Sequence, residues 1–93
     1  MVSHNTYFDG GVQSLGFERD GRRATVGVIE PGTYSFDTGA PERMTVISGA
    51  LSARLPGSDD WQGFGEGAVF EIPASSTFEV RADEPSAYLC EFL

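Results

Sequence analysis

The sequence predicts an all-β domain, built as a sandwich or a barrel. Glycine and proline divide the chain at short intervals, so that turn signals recur roughly every 8–12 residues. The runs between them are rich in β-branched and aromatic residues. No segment carries the apolar stripe, with a period of about 3.6 residues, of a helix longer than about two turns. Together these observations favour many short strands over any helical architecture.

The candidate strands follow the same order as the turn signals. Residues 19–22, Arg-Asp-Gly-Arg, form a polar hairpin tip between the first two strands, because Asp-Gly is a strong signal for a two-residue turn. Residues 55–60 form the longest polar loop. The candidate strands are residues 12–17, 24–29, 32–37, 44–47, 50–55, 67–72, 77–81 and 87–92.

One strand shows the alternation of a half-buried sheet clearly. Tyr34, Phe36 and Thr38 share one face of the segment 34–38, and Ser35 and Asp37 share the other. We expect the face with two aromatic rings to point inward. A phenol, a phenyl ring and a hydroxyl would then lie in a row inside the domain.

Composition and length exclude several classes of function. The chain has 93 residues, enough for one domain, and a formal net charge of −8. Binding to a nucleic acid polymer or to an anionic membrane would require a basic face, so both are disfavoured. Dimerisation is a natural way for a domain this small to bury more apolar surface.

The chain also lacks the marks of export or membrane insertion. Its single cysteine, Cys90, cannot form an intrachain disulfide, and we expect it to be a small buried side chain between Leu89 and Phe92. The first residues, MVSHNTYFDG, lack the basic and apolar regions of a signal peptide, and no apolar run approaches about 20 residues. A cytoplasmic location is therefore expected.

Two stretches resemble the signature motifs of the cupin superfamily, PGTYSFDT…PERMTVISGAL and GEGAVFEIPASSTFEV. Gly32, Glu42 and Gly49 match the glycines and the carboxylate of the first motif, although the spacer before Glu42 is short. Gly67 and Pro73 match the second motif. The resemblance implies a single-domain, all-β, cupin-like β-barrel or jelly roll over residues 1–93.

The cupin metal ligands are largely replaced in this chain. Thr38, Ala40 and Phe78 stand where the family has its histidines, and only the carboxylate position, Glu42, is kept. The single histidine, His4, lies in the N-terminal arm. One carboxylate cannot hold a transition metal by itself. We therefore expect no metal and no other cofactor.

A second resemblance covers nearly the whole chain. The blocks NTYFDGGVQSLGF, ATVGVIEPGTYSF, MTVISGALSARLPGSDDW, GAVFEIPASSTF and EPSAYLCEFL are similar to those of a family of small nucleoside phosphorylases that act on pyrimidine and purine nucleosides. The resemblance implies phosphorolysis of nucleosides to free base and α-D-ribose 1-phosphate, with phosphate as co-substrate. It also implies a homodimer and a broad substrate range: uridine, cytidine, thymidine, adenosine, guanosine, inosine and xanthosine.

Phosphorolysis requires a site for phosphate. A planar guanidinium can bind phosphate through two hydrogen bonds, and the chain has six arginines and no lysine. We favour Arg23, which opens a predicted strand, over Arg54, and we expect Arg19 and Arg22 at the hairpin tip to be solvated. Thr38 could add a hydroxyl donor.

The ribose and the base require different side chains. Glu42, at the mouth of the strand 44–47, is the leading candidate for accepting hydrogen bonds from the ribose hydroxyls, as acidic residues do in dinucleotide folds. A glutamate in a loop, exposed to solvent, is the alternative interpretation of Glu42.

A site that accepts both purines and pyrimidines should rely on stacking, which is indifferent to base identity. The candidates for the base are Tyr34, Phe36, Met44 and Phe78, whereas Trp61 is interpreted as a lid or packing residue.

Two other functions remain open on the sequence. One is a non-catalytic cupin that binds a nucleoside or a sugar, and the other is a structural interaction domain whose interior is filled by its own side chains. Release of free base that depends on added phosphate would distinguish the enzyme from both.

Overall fold

A computed structural model describes residues 2–93, which form β-strands and one short turn of 3-10 helix, Phe8–Gly10. Among these residues no helix is long and apolar enough to cross a lipid bilayer. The strands are β1 (Ser3–Tyr7), β2 (Val12–Arg19), β3 (Arg22–Ile29), β4 (Gly32–Asp37), β5 (Glu42–Ser48), β6 (Leu51–Arg54), β7 (Gln62–Phe64), β8 (Val69–Ile72), β9 (Thr77–Ala82) and β10 (Ser86–Phe92).

The strands form two antiparallel sheets that enclose one apolar core. Sheet A has the order β1-β2-β3-β10-β5-β8, and sheet B has the order β4-β9-β6-β7. Val12, Ile29 and Val46 from sheet A and Leu51 and Val80 from sheet B are each at most 2% exposed and belong to one cluster. The predicted all-β architecture is confirmed, as a jelly roll of two facing sheets.

Each predicted strand coincides with an observed one, and only the ends differ. The predicted tip at residues 19–22 is also correct, since Asp20 and Gly21 both have positive φ angles, 54° and 76°, as a tight hairpin turn requires. The turn after β5 is formed at Gly49, whose φ is 84°. Local turn chemistry thus fixes where the chain reverses.

Two strands were missed by the sequence analysis. In β1, only Asn5 is partly buried and the other four residues are exposed, so no alternating apolar pattern exists to detect. The strand forms because its backbone pairs with β2 from Ser3 opposite Gly16 to Tyr7 opposite Val12. In β7, three residues pair with β6, too few for a periodicity.

A glycine in the middle of sheet A makes room for a tyrosine that faces the interior. Gly27 of β3 lies opposite Tyr88 of β10. A Cβ atom at Gly27 would lie 2.5 Å from Tyr88 Cζ and from its hydroxyl oxygen, closer than any side chain tolerates. The absence of a side chain at Gly27 therefore lets the Tyr88 ring lie flat across the sheet.

Candidate functional site

A cavity of about 390 Å³ lies between the two sheets. Its floor is the inner face of sheet A, with Thr25 from β3, Met44 from β5 and Cys90 from β10, and its opposite wall includes Phe36 of β4 and Phe78 of β9. This volume lies within the range of small-molecule sites, about 300–1,000 Å³. The third possibility raised by the sequence, an interior filled by its own side chains, is therefore disfavoured.

One side of the cavity is aromatic. The Phe36 and Phe78 rings stack with centroids 5.6 Å apart and an angle of 27° between their planes. Phe8 meets Phe36 edge to face at 5.5 Å and contacts Tyr34 at 5.0 Å. Phe8 is 48% exposed and has a φ of 52°, which is unusual for a bulky residue. Phe8, Phe36 and Phe78 line the cavity and provide flat apolar surface for a planar ligand.

The other side of the cavity carries a carboxylate bound to a thiol. Glu42 opens β5 and is half-buried, and Cys90 Sγ donates a hydrogen bond to its Oε1 at 3.3 Å. Burial raises the pKa of the Glu42 carboxyl above its ordinary value, and the hydrogen bond from Cys90 partly opposes that rise. Glu42 can therefore accept hydrogen bonds from a polar ligand, and it can also hold a proton more readily than a solvated glutamate.

Two neighbouring groups stay protonated. Burial, reinforced by the charge of Glu42, raises the pKa of the Cys90 thiol far above its ordinary value. Burial likewise raises the pKa of Tyr88 to about 12, and Cys90 adds to that shift. Both groups are therefore neutral donors at neutral pH. Ser14 and Tyr88 both line the cavity.

The structure brings four of the predicted site residues together. Glu42, Phe36, Met44 and Phe78 all line the cavity. Met44 and Phe78 are buried, with 5% and 3% exposure, whereas Phe36 is half-buried and therefore more available to a ligand.

Tyr34 lies in β4 and Thr38 directly follows that strand, and neither residue lines the cavity. Tyr34 donates its hydroxyl hydrogen to Glu30 O at 2.8 Å, and its ring supports Phe8. Thr38 is buried, donates to Pro73 O at 2.8 Å and accepts from the Ser76 backbone N–H at 3.0 Å. Its single hydroxyl hydrogen is thus engaged by the β8–β9 connection, which leaves it a structural role.

Arg23 lies on the inner face of sheet A but at the edge of the cavity. It is exposed and lines a neighbouring depression of about 470 Å³, which also contains Arg19 and Arg22. Phe92 lines both this depression and the cavity and so lies at their boundary. Arg54 is distant from this region in the fold: it forms an ion pair with Glu79 and lies 5.6 Å from the Trp61 ring.

The donor set does not fit a cupin metal. Among residues 2–93 no three histidine, cysteine, aspartate or glutamate side chains come close enough to hold an ion. At the positions of the cupin histidines, the Thr38 hydroxyl is bound to the backbone, Ala40 carries no donor, and Phe78 is an apolar core residue. Glu42 alone cannot replace a four-ligand set.

Several cavity residues were missed by the sequence analysis. Cys90 was correctly predicted to be buried, but its hydrogen bond to Glu42 depends on the pairing of β5 with β10. Phe8 lies outside every predicted strand, in the turn between β1 and β2. Thr25 and Tyr88 lie in predicted strands, and strand alternation alone could have assigned them to the inner face.

The two sheets form a cupin-type fold with a cavity of small-molecule size between them. A cupin-2 domain protein from Shewanella frigidimarina has the same fold, with a TM-score of 0.69 at 17% identity over 81% of this chain and 72% of its own. The predicted cupin jelly roll is thereby confirmed.

Closer matches define the family. The chain belongs to the pyrimidine/purine nucleoside phosphorylase family, whose model matches residues 2–92. A pyrimidine/purine nucleoside phosphorylase from Anaeromyxobacter sp. is 62% identical over 93 residues, covering 100% of this chain and 89% of that protein. A protein of unknown function from Vibrio parahaemolyticus has a TM-score of 0.97 and 46% identity, covering 100% of this chain and 99% of its own.

Proposed function

We propose that this protein cleaves purine and pyrimidine nucleosides with phosphate, giving the free base and α-D-ribose 1-phosphate. The observation that carries the proposal is the joint presence of the Glu42 carboxyl and the stacked Phe36 and Phe78 rings in one cavity of about 390 Å³. A nucleoside has the matching two parts, a polyhydroxylated sugar and a flat base.

The ribose is held by Glu42. A carboxylate accepts hydrogen bonds from two vicinal hydroxyls and so orients the sugar. Cys90 occupies Oε1, which leaves Oε2 to accept hydrogen bonds from the ribose. The neutral Tyr88 phenol and the Ser14 hydroxyl, which line the same cavity, offer further polar contacts.

The base is held by aromatic surface. Phe36 is the half-buried member of the stacked pair, and the exposed Phe8 ring stands against its edge. Stacking contributes about 1–3 kcal/mol per base and does not distinguish one base from another. This supports the broad range expected from the sequence: uridine, cytidine, thymidine, adenosine, guanosine, inosine and xanthosine.

Phosphate is held by Arg23 at the mouth of the cavity. In the pairing of β10 with β3, Glu91 lies opposite Ala24, so the next position places Phe92 opposite Arg23. In the pairing of β10 with β5, Phe92 lies opposite Glu42. Arg23, Phe92 and Glu42 therefore form one row on the inner face of sheet A. Arg23 and Glu42 are therefore two strand spacings apart, about 10 Å between backbones. A ribose with phosphate beneath its anomeric carbon fits between two such side chains.

Space for the guanidinium is provided by a glycine. A Cβ atom at Gly16 would lie 3.3 Å from Arg23 Nη2 and 3.7 Å from Thr25 Cγ2. Arg23 thus folds back over Gly16 toward Thr25, which lines the cavity. Among residues 2–93, no ion pair involves Arg23, so its guanidinium is available to an anion.

The bond changes follow from this arrangement. A phosphate oxygen attacks the anomeric carbon of the ribose as the bond from that carbon to the base nitrogen breaks. The electron pair of that bond leaves with the base, and the base takes up the proton that the hydrogen phosphate loses as it becomes the phosphate ester. Positive charge develops on the sugar in the transition state, and a negative carboxylate at Glu42 stabilises it.

The outer face of sheet A is proposed to bind a second copy of the chain. Leu15, Val26, Leu89, Thr45 and Val69 are neighbours in one row across five strands. Leu15, Val26 and Val69 are 52%, 40% and 49% exposed, an apolar stripe of the kind that marks an interface. Light scattering should give a dimer for the protein and a monomer for Val26→Glu, whereas Thr33→Glu on sheet B should leave the dimer intact.

The test of the proposed function is phosphate-dependent release of base. Purified protein is incubated with uridine and with inosine, with and without phosphate, and free base and ribose 1-phosphate are measured. Release of both products in equal amounts, only with phosphate, is expected. Tight nucleoside binding without turnover would instead identify the non-catalytic cupin. The cytoplasmic location expected from the sequence stays a prediction.

A further inference from the structure

The geometry points to Cys90 as a positioning residue that fixes the orientation and the charge of the Glu42 carboxyl. The inference rests on the proposed function, in which Glu42 contacts the ribose. Cys90 itself acts through Glu42, by a hydrogen bond from Sγ to Oε1 of 3.3 Å.

The direction of this hydrogen bond is fixed by the chemistry of the two groups. The thiol is buried next to a carboxylate, both of which keep it protonated, so sulfur donates and the carboxylate accepts. Thr25 lies directly opposite Cys90 in the register, so its hydroxyl is the next polar group on the inner face of sheet A. Thr25, Cys90 and Glu42 thus form one polar line across β3, β10 and β5.

Strand register explains why Glu42 reaches the thiol. Directly opposite Glu42 is Phe92, and directly opposite Cys90 is Met44, so Glu42 and Cys90 are diagonal neighbours on adjacent strands. Diagonal pairs have Cα atoms about 7–8 Å apart, within reach of a long side chain but not in contact by default. The Glu42 side chain therefore leans along the sheet toward Cys90, and the hydrogen bond holds it there.

The remaining ionisable groups near Glu42 do not replace this contact. Asp37 and Tyr7 line the same cavity, and Tyr88 is neutral. Arg43, the next residue along, lies on the opposite face of β5 and pairs with Glu71 at 3.1 Å. Arg23 is two strands away, beyond Phe92. Cys90 is the neighbour whose hydrogen bond opposes the effect of burial on Glu42.

A direct titration of Glu42 tests the inference without relying on turnover. The side-chain carboxyl carbon is followed by NMR in the ligand-free protein, and its signal is assigned by its loss in Glu42→Gln. Cys90→Ala should raise the pKa of Glu42 by about 0.5–1 unit, because it removes a hydrogen bond to the charged form. Cys90→Ser keeps a donor and should give a pKa equal to or below that of the wild type.

A matched control separates positioning from packing. Val80→Ala removes buried atoms from β9, away from Glu42, and should lower stability without moving the Glu42 titration. The acidic limb of the pH profile of kcat/KM should shift upward with Cys90→Ala by the same amount as the titration.

The outcomes distinguish this inference from the proposed function. If the Glu42 titration is the same in wild type, Cys90→Ala and Cys90→Ser, Cys90 is a packing residue and the inference is wrong. If Cys90→Ala does not fold, the Ser variant decides alone: a pKa above that of the wild type would overturn the inference. If the titration shifts as expected but Glu42→Gln keeps full activity, the proposed role of Glu42 fails while the inference about Cys90 holds.

Discussion

Phe36 and Phe78 lie opposite each other in the register of β4 and β9, and their rings stack at 5.6 Å across the cavity wall. Phe78 is buried and anchors the pair to the core, whereas Phe36 is half-buried and faces the cavity. A buried ring that supports a partly exposed one is a preorganised platform for a planar ligand, because little side-chain entropy is lost on binding.

Truncation of this platform should weaken the binding of every nucleoside. Phe36→Ala removes a stacking surface, so KM for uridine and for inosine should each rise about 5- to 150-fold by similar factors. Steady-state kinetics with saturating phosphate measures this. Phe64→Ala breaks a tilted aromatic contact between the sheets, Phe64 with Phe70 at 4.4 Å, and should lower stability with KM unchanged. A KM effect on only one class of nucleoside would contradict non-selective stacking.

Glu42→Gln should reduce turnover on all nucleosides alike. The ribose is common to every substrate, and a neutral amide neither stabilises positive charge on the sugar nor accepts hydrogen bonds as strongly as a carboxylate. A hydrogen bond to a charged group contributes about 1.5–3 kcal/mol, which corresponds to about 10- to 150-fold in kcat/KM. If the variant lost purine nucleosides and kept pyrimidine ones, Glu42 would contact the base rather than the ribose.

Relative to wild type, Glu42→Gln should be more stable at neutral pH than at acidic pH. Burial raises the pKa of Glu42 above the 4.5 of an unperturbed glutamate, so the folded state binds the proton more tightly than the unfolded chain does. The stability contributed by this tighter binding is complete below pH 4.5 and is lost as pH rises through the folded-state pKa. The Gln side chain does not ionise, so Glu42→Gln does not lose this stability as the pH rises.

Urea unfolding of wild type and Glu42→Gln at pH 4 and pH 7 checks the sign. The free energy of unfolding of the variant, relative to wild type, should be higher at pH 7 than at pH 4. Equal differences at both pH values would mean that burial does not penalise the charged form of Glu42. A stability gain combined with lost turnover would identify Glu42 as a residue kept for function rather than for folding.

Activity should survive removal of metal ions. Thr38, Ala40 and Phe78 occupy the positions of the cupin histidines, and none offers a free ligand atom to an ion. After exhaustive treatment with a chelator, kcat should stay within about twofold of its starting value. Complete loss that is restored by a single divalent ion would overturn the prediction of metal independence.

Sequence periodicity predicted which face of β4 is the more buried one, but not which residues meet across strands. Tyr34 and Phe36 share a face as predicted, yet Phe36 lines the cavity whereas Tyr34 contacts Glu30 and Phe8. Alternation along a strand is local, and it says nothing about position along the sheet. That position is set by long-range register, such as Phe36 opposite Phe78.

The cupin motif predicted more of the candidate site than the composition of the chain did. Glu42 was identified from its spacing to Gly49, and it does line the cavity. Cys90 and Phe8 could not be assigned in the same way. The role of Cys90 depends on the diagonal contact between β5 and β10, and Phe8 reaches the cavity through a turn of unusual backbone conformation. Neither feature has a local sequence pattern.

The last prediction concerns phosphate and compares adjacent arginines. Arg23 is on the inner face of β3 with Thr25, and Arg22 is on the outer face, because successive side chains of a strand point to opposite sides. Arg23→Ala should raise KM for phosphate about 10- to 150-fold and KM for nucleoside much less, since a charged donor to phosphate contributes about 1.5–3 kcal/mol. Arg22→Ala removes the same charge and should have little effect.

The comparison of the two variants separates direct contact from the general field of the protein. With a formal net charge of −8, loss of any arginine makes the approach of phosphate less favourable, but salt screens such an effect. A contact of Arg23 with phosphate predicts a KM effect that persists at 0.5 M salt, where the screening length is only about 4 Å. Equal effects of both variants that vanish at high salt would indicate a field effect. No effect of Arg23→Ala would leave phosphate to backbone N–H groups beside the glycines, because Arg54 is held by Glu79 and Trp61.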